Sequence, residues 1–105
     1  MKNFRVEILP SAQTDIINAL DYIAVELCNP TAALKLHSVV AECFERLQNA
    51  PFCGRKLETD IPLKHSYRWI AAENYLIFYT VNEQEEKVII MRMLFGSSDY
   101  ALILK

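Results

Sequence analysis

Apolar and polar positions alternate at the start of the chain, where Phe4, Val6 and Ile8 are separated by Arg5 and Glu7 in "NFRVEIL". A period of two with polar partners predicts a strand with one buried face. Pro10 stops it and Ser11 is placed to cap a helix. The period then changes: Ile16, Leu20, Ile23 and Leu27 recur at helical spacing, with Asp15, Asn18 and Glu26 on the other side. This predicts an amphipathic helix of about four turns. "CNP" interrupts it, with Asn29 as a cap and Pro30 suited to a first helical turn. A second helix runs through "TAALKLHSVVAECFERLQN", its stripe formed by Ala33, Leu36, Val40, Cys43 or Phe44, and Leu47. Two such helices joined by a few residues form a helical hairpin.

"APFCGRKLETDIPLKHS" is the long irregular stretch, broken by Pro51, Gly54 and Pro62. A loop of that length in a small domain is functional or packed over something. Three strand-like runs come next, "YRWIA", "YLIFYTV" and "KVIIMRML", linked by turns at Ala72-Glu73-Asn74 and "NEQEE". The order predicts an α+β fold: a mainly antiparallel four-stranded sheet with both helices on one face, in a single domain spanning residues 1–105. The end, "DYALILK", reads as a last helical turn or as a tail that docks on a partner.

Composition narrows the classes. With 52% hydrophobic residues and two glycines the chain is set for a compact core rather than disorder. A net charge of −2 gives no broad electrostatic hold on nucleic acid, and no direct nucleic-acid binding is expected. The charge is uneven, however. Residues 1–50 hold four Lys/Arg against six Asp/Glu, whereas 51–72 hold Arg55, Lys56, Lys64 and Arg68 against Glu58 and Asp60. That local excess suits either an acidic partner or a solvated face. Cys28, Cys43 and Cys53 are odd in number and lack C-x-x-C spacing, and His37 and His65 sit in no ligand motif. Buried thiols in a reducing compartment, with no metal and no cofactor, are the expectation. The start lacks a signal-like apolar region and no run approaches the ~20 apolar residues of a membrane span, so a cytoplasmic protein is expected.

The last strand carries the most informative charge. Val88, Ile90, Arg92 and Leu94 share one face by alternation. Arg92 then either pairs in the core with an acid such as Glu7 or Asp99, or lies across the open face. Arg68 alternates in the same way, and Tyr75, Tyr79 and Tyr100 could join the two arginines in gripping a peptide or phosphates. No nucleophile–base pair, H-E-x-x-H, G-x-G-x-x-G or P-loop is present.

Taken in order, "FRVEILPSAQTDIINALDYIA", "NPTAALKL", "LQNAPFCGRKL", "YRWIAAENYLIFYTV" and "VIIMRMLFGSSDY" resemble the RelE/ParE superfamily of type II toxin–antitoxin toxins over almost the whole chain. The resemblance implies a strand, a helical hairpin and three further strands, and an antitoxin encoded alongside. RelE-like members are ribosome-dependent mRNA endonucleases that use arginines, lysines and a histidine or tyrosine in place of a metal. ParE-like members inhibit DNA gyrase. Where nucleases of the family carry an arginine in the second hairpin strand this chain has Leu76; at the end of the last strand it has Phe95, and after the glycine Ser97 and Ser98. The resemblance therefore points to the ParE-like side, with no catalytic residue, DNA gyrase as target and antitoxin contacts at Arg55, Lys64, Arg68, Arg92 and Tyr100. The alternatives are a RelE-like endonuclease and an inactive binding module. "Phe95-Gly96-Ser97-Ser98-Asp99" also departs from the His-Gly and basic residues common in ParE-like chains.

Overall fold

The computed structural model describes residues 3–105. Strand β1 (Arg5–Ile8) leads into helix α1 (Pro10–Asp21), a π-helical segment (Tyr22–Glu26) and helix α2 (Pro30–Asn49). Then come β2 (Arg55–Lys56), β3 (Arg68–Ala72), β4 (Tyr75–Asn82), β5 (Lys87–Phe95) and helix α3 (Tyr100–Leu104). The sheet order is β1-β5-β4-β3-β2, antiparallel except for the β1–β5 pair. The α+β architecture is the expected one. The sheet has five strands rather than four, because two residues of the irregular stretch, Arg55 and Lys56, pair with Trp69 and Arg68.

The helices begin differently from each other. In α2 the Asn29 side-chain oxygen accepts from Ala32 N at 3.1 Å and Pro30 occupies the first turn. In α1 Leu9 is the cap residue and makes no side-chain bond, so Ser11 is not the cap. Its hydroxyl instead donates to the Met91 carbonyl at 3.1 Å. The expected stripe of α2 is buried, with Cys43 inside and Phe44 half-buried. The first stripe ends early. Leu27 N–H bonds to Tyr22 O at 3.0 Å, an i→i+5 closure that widens the last turn. Ile16, Leu20 and Ile23 pack against the core, while Leu27 turns outward and is 55% exposed. Cys28, at φ 51°, then reverses the chain in the left-handed region.

Both sheet faces are covered. Under α1 and α2 lie Ile70, Ala72, Ile77, Tyr79, Val88, Ile90 and Met93. The other face is not the open, charged surface that alternation suggested. Phe78 and Leu94 pack there with Tyr67, with Leu57 and Leu63 of the irregular stretch, and with Tyr100 and Leu104 of α3. Burying each such large side chain contributes about 1.5–3 kcal/mol. This second cluster accounts for the long loop: it is a lid on the sheet.

A β-bulge decides which way β5 points. Phe78 pairs with Arg92 but Tyr79 pairs with Ile90, so Met91 is an extra residue. Val88 and Ile90 face the helices before the bulge, and Met93 does after it. Simple alternation puts Ile90, Arg92 and Leu94 together; the bulge leaves Ile90 on the helix face and turns Arg92 and Leu94 to the other.

Candidate functional site

Arg92 lies where β1 ends and leaves the edge of β5 unpaired beyond Ile90. Helix α1 takes over that edge. The Asp15 carboxylate accepts from Arg92 Nε at 2.6 Å, from a second guanidinium nitrogen at 3.0 Å and from Met93 N at 3.0 Å. Arg92 is thus an ion-pair residue, and its partner is neither Glu7 nor Asp99. Glu7 pairs with Lys87 at 3.3 Å. The hydrogen bonds to Asp15 push the Arg92 guanidinium up, which keeps it charged against partial burial.

Arg68 is anchored on the other side of the sheet. It pairs with Tyr79 in register, on the face of Ile70 and Ala72. One guanidinium nitrogen donates to Gly54 O at 2.9 Å and to Phe52 O at 3.3 Å, and its carbon lies 5.1 Å from the Phe52 ring centre. Tyr79, fully buried, accepts from Gly54 N at 2.9 Å. These bonds pin the chain after α2 against β3. Tyr75 and Tyr79 therefore face the helices and do not join Arg92 on a common open surface. Tyr100 packs against Phe78 on the second face, with ring centres 5.3 Å apart. Arg55 is exposed and lies 5.8 Å from the Trp69 ring centre, and Lys64 is exposed as well.

The five candidate contacts thus fall into separate places. Arg68 lines a cleft of about 600 Å³ beside β2 and the irregular stretch, together with Lys56, Leu63 and His65. Arg55 and Lys64 are not among its lining residues, although each is next in sequence to one. Arg92 sits on the α1–β5 edge, and Tyr100 in the second cluster. Lys56 was missed as a candidate; its place in the same basic run was the available signal. At the far end of β5, Phe95 is 48% exposed and meets Tyr75 edge-on at 5.4 Å. Leu76 is half-buried in the second cluster and Ser97 is exposed. Among the described residues no cluster of three metal-ligating side chains occurs, and no helix is long and apolar enough to cross a membrane. The cysteines are all free; Cys43 is buried as expected, whereas Cys28 and Cys53 lie outside the helices and are exposed.

Burial pushes the Tyr79 phenol up, and it does the same to Tyr67 and Tyr75. A raised phenol keeps its proton in the folded state when the unfolded chain has lost it. The resulting stability is complete below about pH 10 and is lost as pH rises through the folded values. Urea midpoints measured from pH 8 to pH 11 are expected to fall steeply above pH 10, and to fall less steeply in Tyr79→Phe. An unchanged slope in the variant would remove Tyr79 as a cause.

A family described as "ParE toxin of type II toxin-antitoxin system, parDE" matches residues 6–100. The fold is similar to a solved chain of the chromosomal ParDE toxin–antitoxin system from P. aeruginosa, at 20% identity and TM-score 0.67 over 88% of this chain and 95% of that one. It is also similar to a chain of the RelBE2 toxin–antitoxin complex from Mycobacterium tuberculosis, at 17% identity and TM-score 0.65 over 93% and 97%. The archaeal RelE–RelB complex from Pyrococcus horikoshii gives 15% identity and TM-score 0.61 over 90% and 97%. No curated protein sequence matches. The family match spans β1 to the start of α3, every element that carries the sheet and its helical cover, and the chain belongs to the ParE toxin family of type II toxin–antitoxin systems.

Proposed function

We propose that this toxin acts by binding DNA gyrase rather than by cutting RNA, and that a cognate antitoxin neutralises it. The observation that carries this reading is the chemistry at the end of β5. Metal-free RNA cleavage needs a group that moves a proton near pH 7 and cations that steady the phosphate. Leu76, Phe95 and Ser97 supply neither, and Asp99 adds negative charge where phosphate would need the opposite. The phenol beside Phe95 belongs to Tyr75, which burial pushes up and which is therefore a poor base. Beside Ser97 and Asp99 this end of the molecule exposes large apolar side chains: Phe95, Leu102 and Ile103 are each between 44% and 54% exposed. Exposed apolar side chains of that size favour a protein partner over a phosphodiester.

An antitoxin partner is supported by the relatives, which were solved as toxin–antitoxin systems and complexes. A DNA supercoiling assay with purified gyrase tests the target. Inhibition at micromolar toxin, relieved by the antitoxin, is expected. Cleavage of mRNA in a translating extract without gyrase inhibition would replace this reading with the endonuclease one.

A further inference from the structure

We infer that Cys43 and Cys53 are an oxidation site: a hydroperoxide joins them in a reversible disulfide that ties α2 to the chain entering β2. This does not rest on the target of the toxin.

The sheet register brings the two residues together. Leu57 N–H bonds to Tyr67 O at 2.9 Å and Arg55 pairs with Trp69, so the carbonyls of Tyr67, Trp69 and Ala71 form the row that faces β2. The same register carried back from Arg55 sets Cys53 opposite Ala71. The Cys53 amide does not take that carbonyl, because it closes a turn on Ala50 O at 3.1 Å. The Cys43 thiol takes it instead, reaching Ala71 O from α2 at 3.7 Å. One thiol thus fills the ladder place that belongs by register to the other residue's backbone. Burial pushes the Cys43 thiol up against the lowering effect of Arg46, and Cys53 is close enough to add to the rise.

The backbone on both sides of Cys53 is held. Gly54 N–H donates to the buried Tyr79 hydroxyl at 2.9 Å, and Arg68 donates to the carbonyls of Phe52 and Gly54. Cys43 is fixed in turn by the buried stripe of α2. Two groups held in one place react as an intramolecular pair. Their exposures set the order of events. Cys53 is exposed and meets a solute first, whereas Cys43 is 1% exposed. The Cys53 thiolate attacks the peroxide: an S–O bond forms, the O–O bond breaks, and the departing oxygen takes a proton from water. The sulfur, oxidised by two electrons, is left as a sulfenic acid. Cys43 then attacks that sulfur. The S–S bond forms, the S–O bond breaks, and the hydroxide leaves as water with the Cys43 proton. A dithiol reverses the bridge by exchange and is itself oxidised, so in a reducing compartment the bridge is transient.

The test treats the full chain with hydrogen peroxide, alkylates the remaining thiols, digests with trypsin and reads the peptides by mass spectrometry. Arg46 lies between the two cysteines, so a bridge links two peptides that otherwise separate. The folded wild type is expected to give the Cys43–Cys53 bridge alone, equally in Cys28→Ser, and to lose it to dithiothreitol. In urea, where the register is gone, all three pairings of the cysteines are expected. Cys53→Ser replaces an exposed side chain and keeps the fold, and it should leave Cys43 a free thiol at peroxide doses that bridge the wild type. The urea midpoint of the bridged protein is expected to be no lower than that of the reduced one. The same mixture of pairings in the folded and unfolded protein would overturn the proposal. So would Cys53 recovered as a sulfinic acid beside an unmodified Cys43. A lower midpoint after bridging would also overturn it, since the bond would then form only by pulling α2 off the sheet.

Discussion

Asp15→Ala is expected to lower stability by about 3 kcal/mol, which for a domain of this size lowers the Tm by more than about 10 °C. One carboxylate satisfies three donors, two from Arg92 and one from Met93 N. Its side chain is 14% exposed and that of Arg92 is 32% exposed. Removing the partner of a fully buried charge costs about 3–5 kcal/mol. Arg92 can recover water on its exposed part, so the lower end applies. The Met93 amide is a separate loss, because β1 has already ended and supplies no acceptor there. Arg92→Ala should cost less, since Asp15 keeps its bond to Met93 N. A double-mutant cycle in urea separates the charge pair from the amide bond. A loss under about 1 kcal/mol for Asp15→Ala would show that water replaces the pair and that α1 does not depend on it.

That pair also marks where the sequence was readable and where it was not. The order of a strand, two helices and three strands, the stripe of α2 and the cap at Asn29 follow from local rules of period and turn chemistry, and the structure contains them, adding the two-residue β2 that no local pattern marks. Arg92 was visible as an anomaly, but its partner lies 77 residues away on α1, and no local pattern selects among distant acids. The bulge at Met91 compounds this, because an alternation rule cannot register one inserted residue. Arg68 failed differently. It does alternate, but onto the face where the chain after α2 closes over it, and that closure depends on Gly54 fitting beneath Tyr79. Of the basic run, Arg68 lines one cleft together with Lys56, while Arg55 and Lys64 are exposed and outside its lining.

Gly54→Ala is expected to be nearly as damaging, at about 2–3 kcal/mol, the upper range for overpacking a filled site. A Cβ at this position would stand 2.8 Å from the Trp69 carbonyl oxygen and closer still to the Tyr79 hydroxyl. Neither neighbour can yield cheaply: one is strand backbone and the other a ring with no exposed surface. Gly54 has no left-handed φ, so the requirement is space and not conformation. The chain can accept the methyl only by lifting away from β3, which breaks the Gly54–Tyr79 bond and draws the Phe52 and Gly54 carbonyls off Arg68. Tyr79→Phe tests this from the other side. It costs about 1–2 kcal/mol, because Gly54 N–H is left buried without an acceptor, yet it removes the nearest obstructing atom, leaving the ring carbon Cε1 at 2.9 Å. The double variant should therefore lose less than the sum of the single ones, and strict additivity in urea denaturation would refute the shared contact.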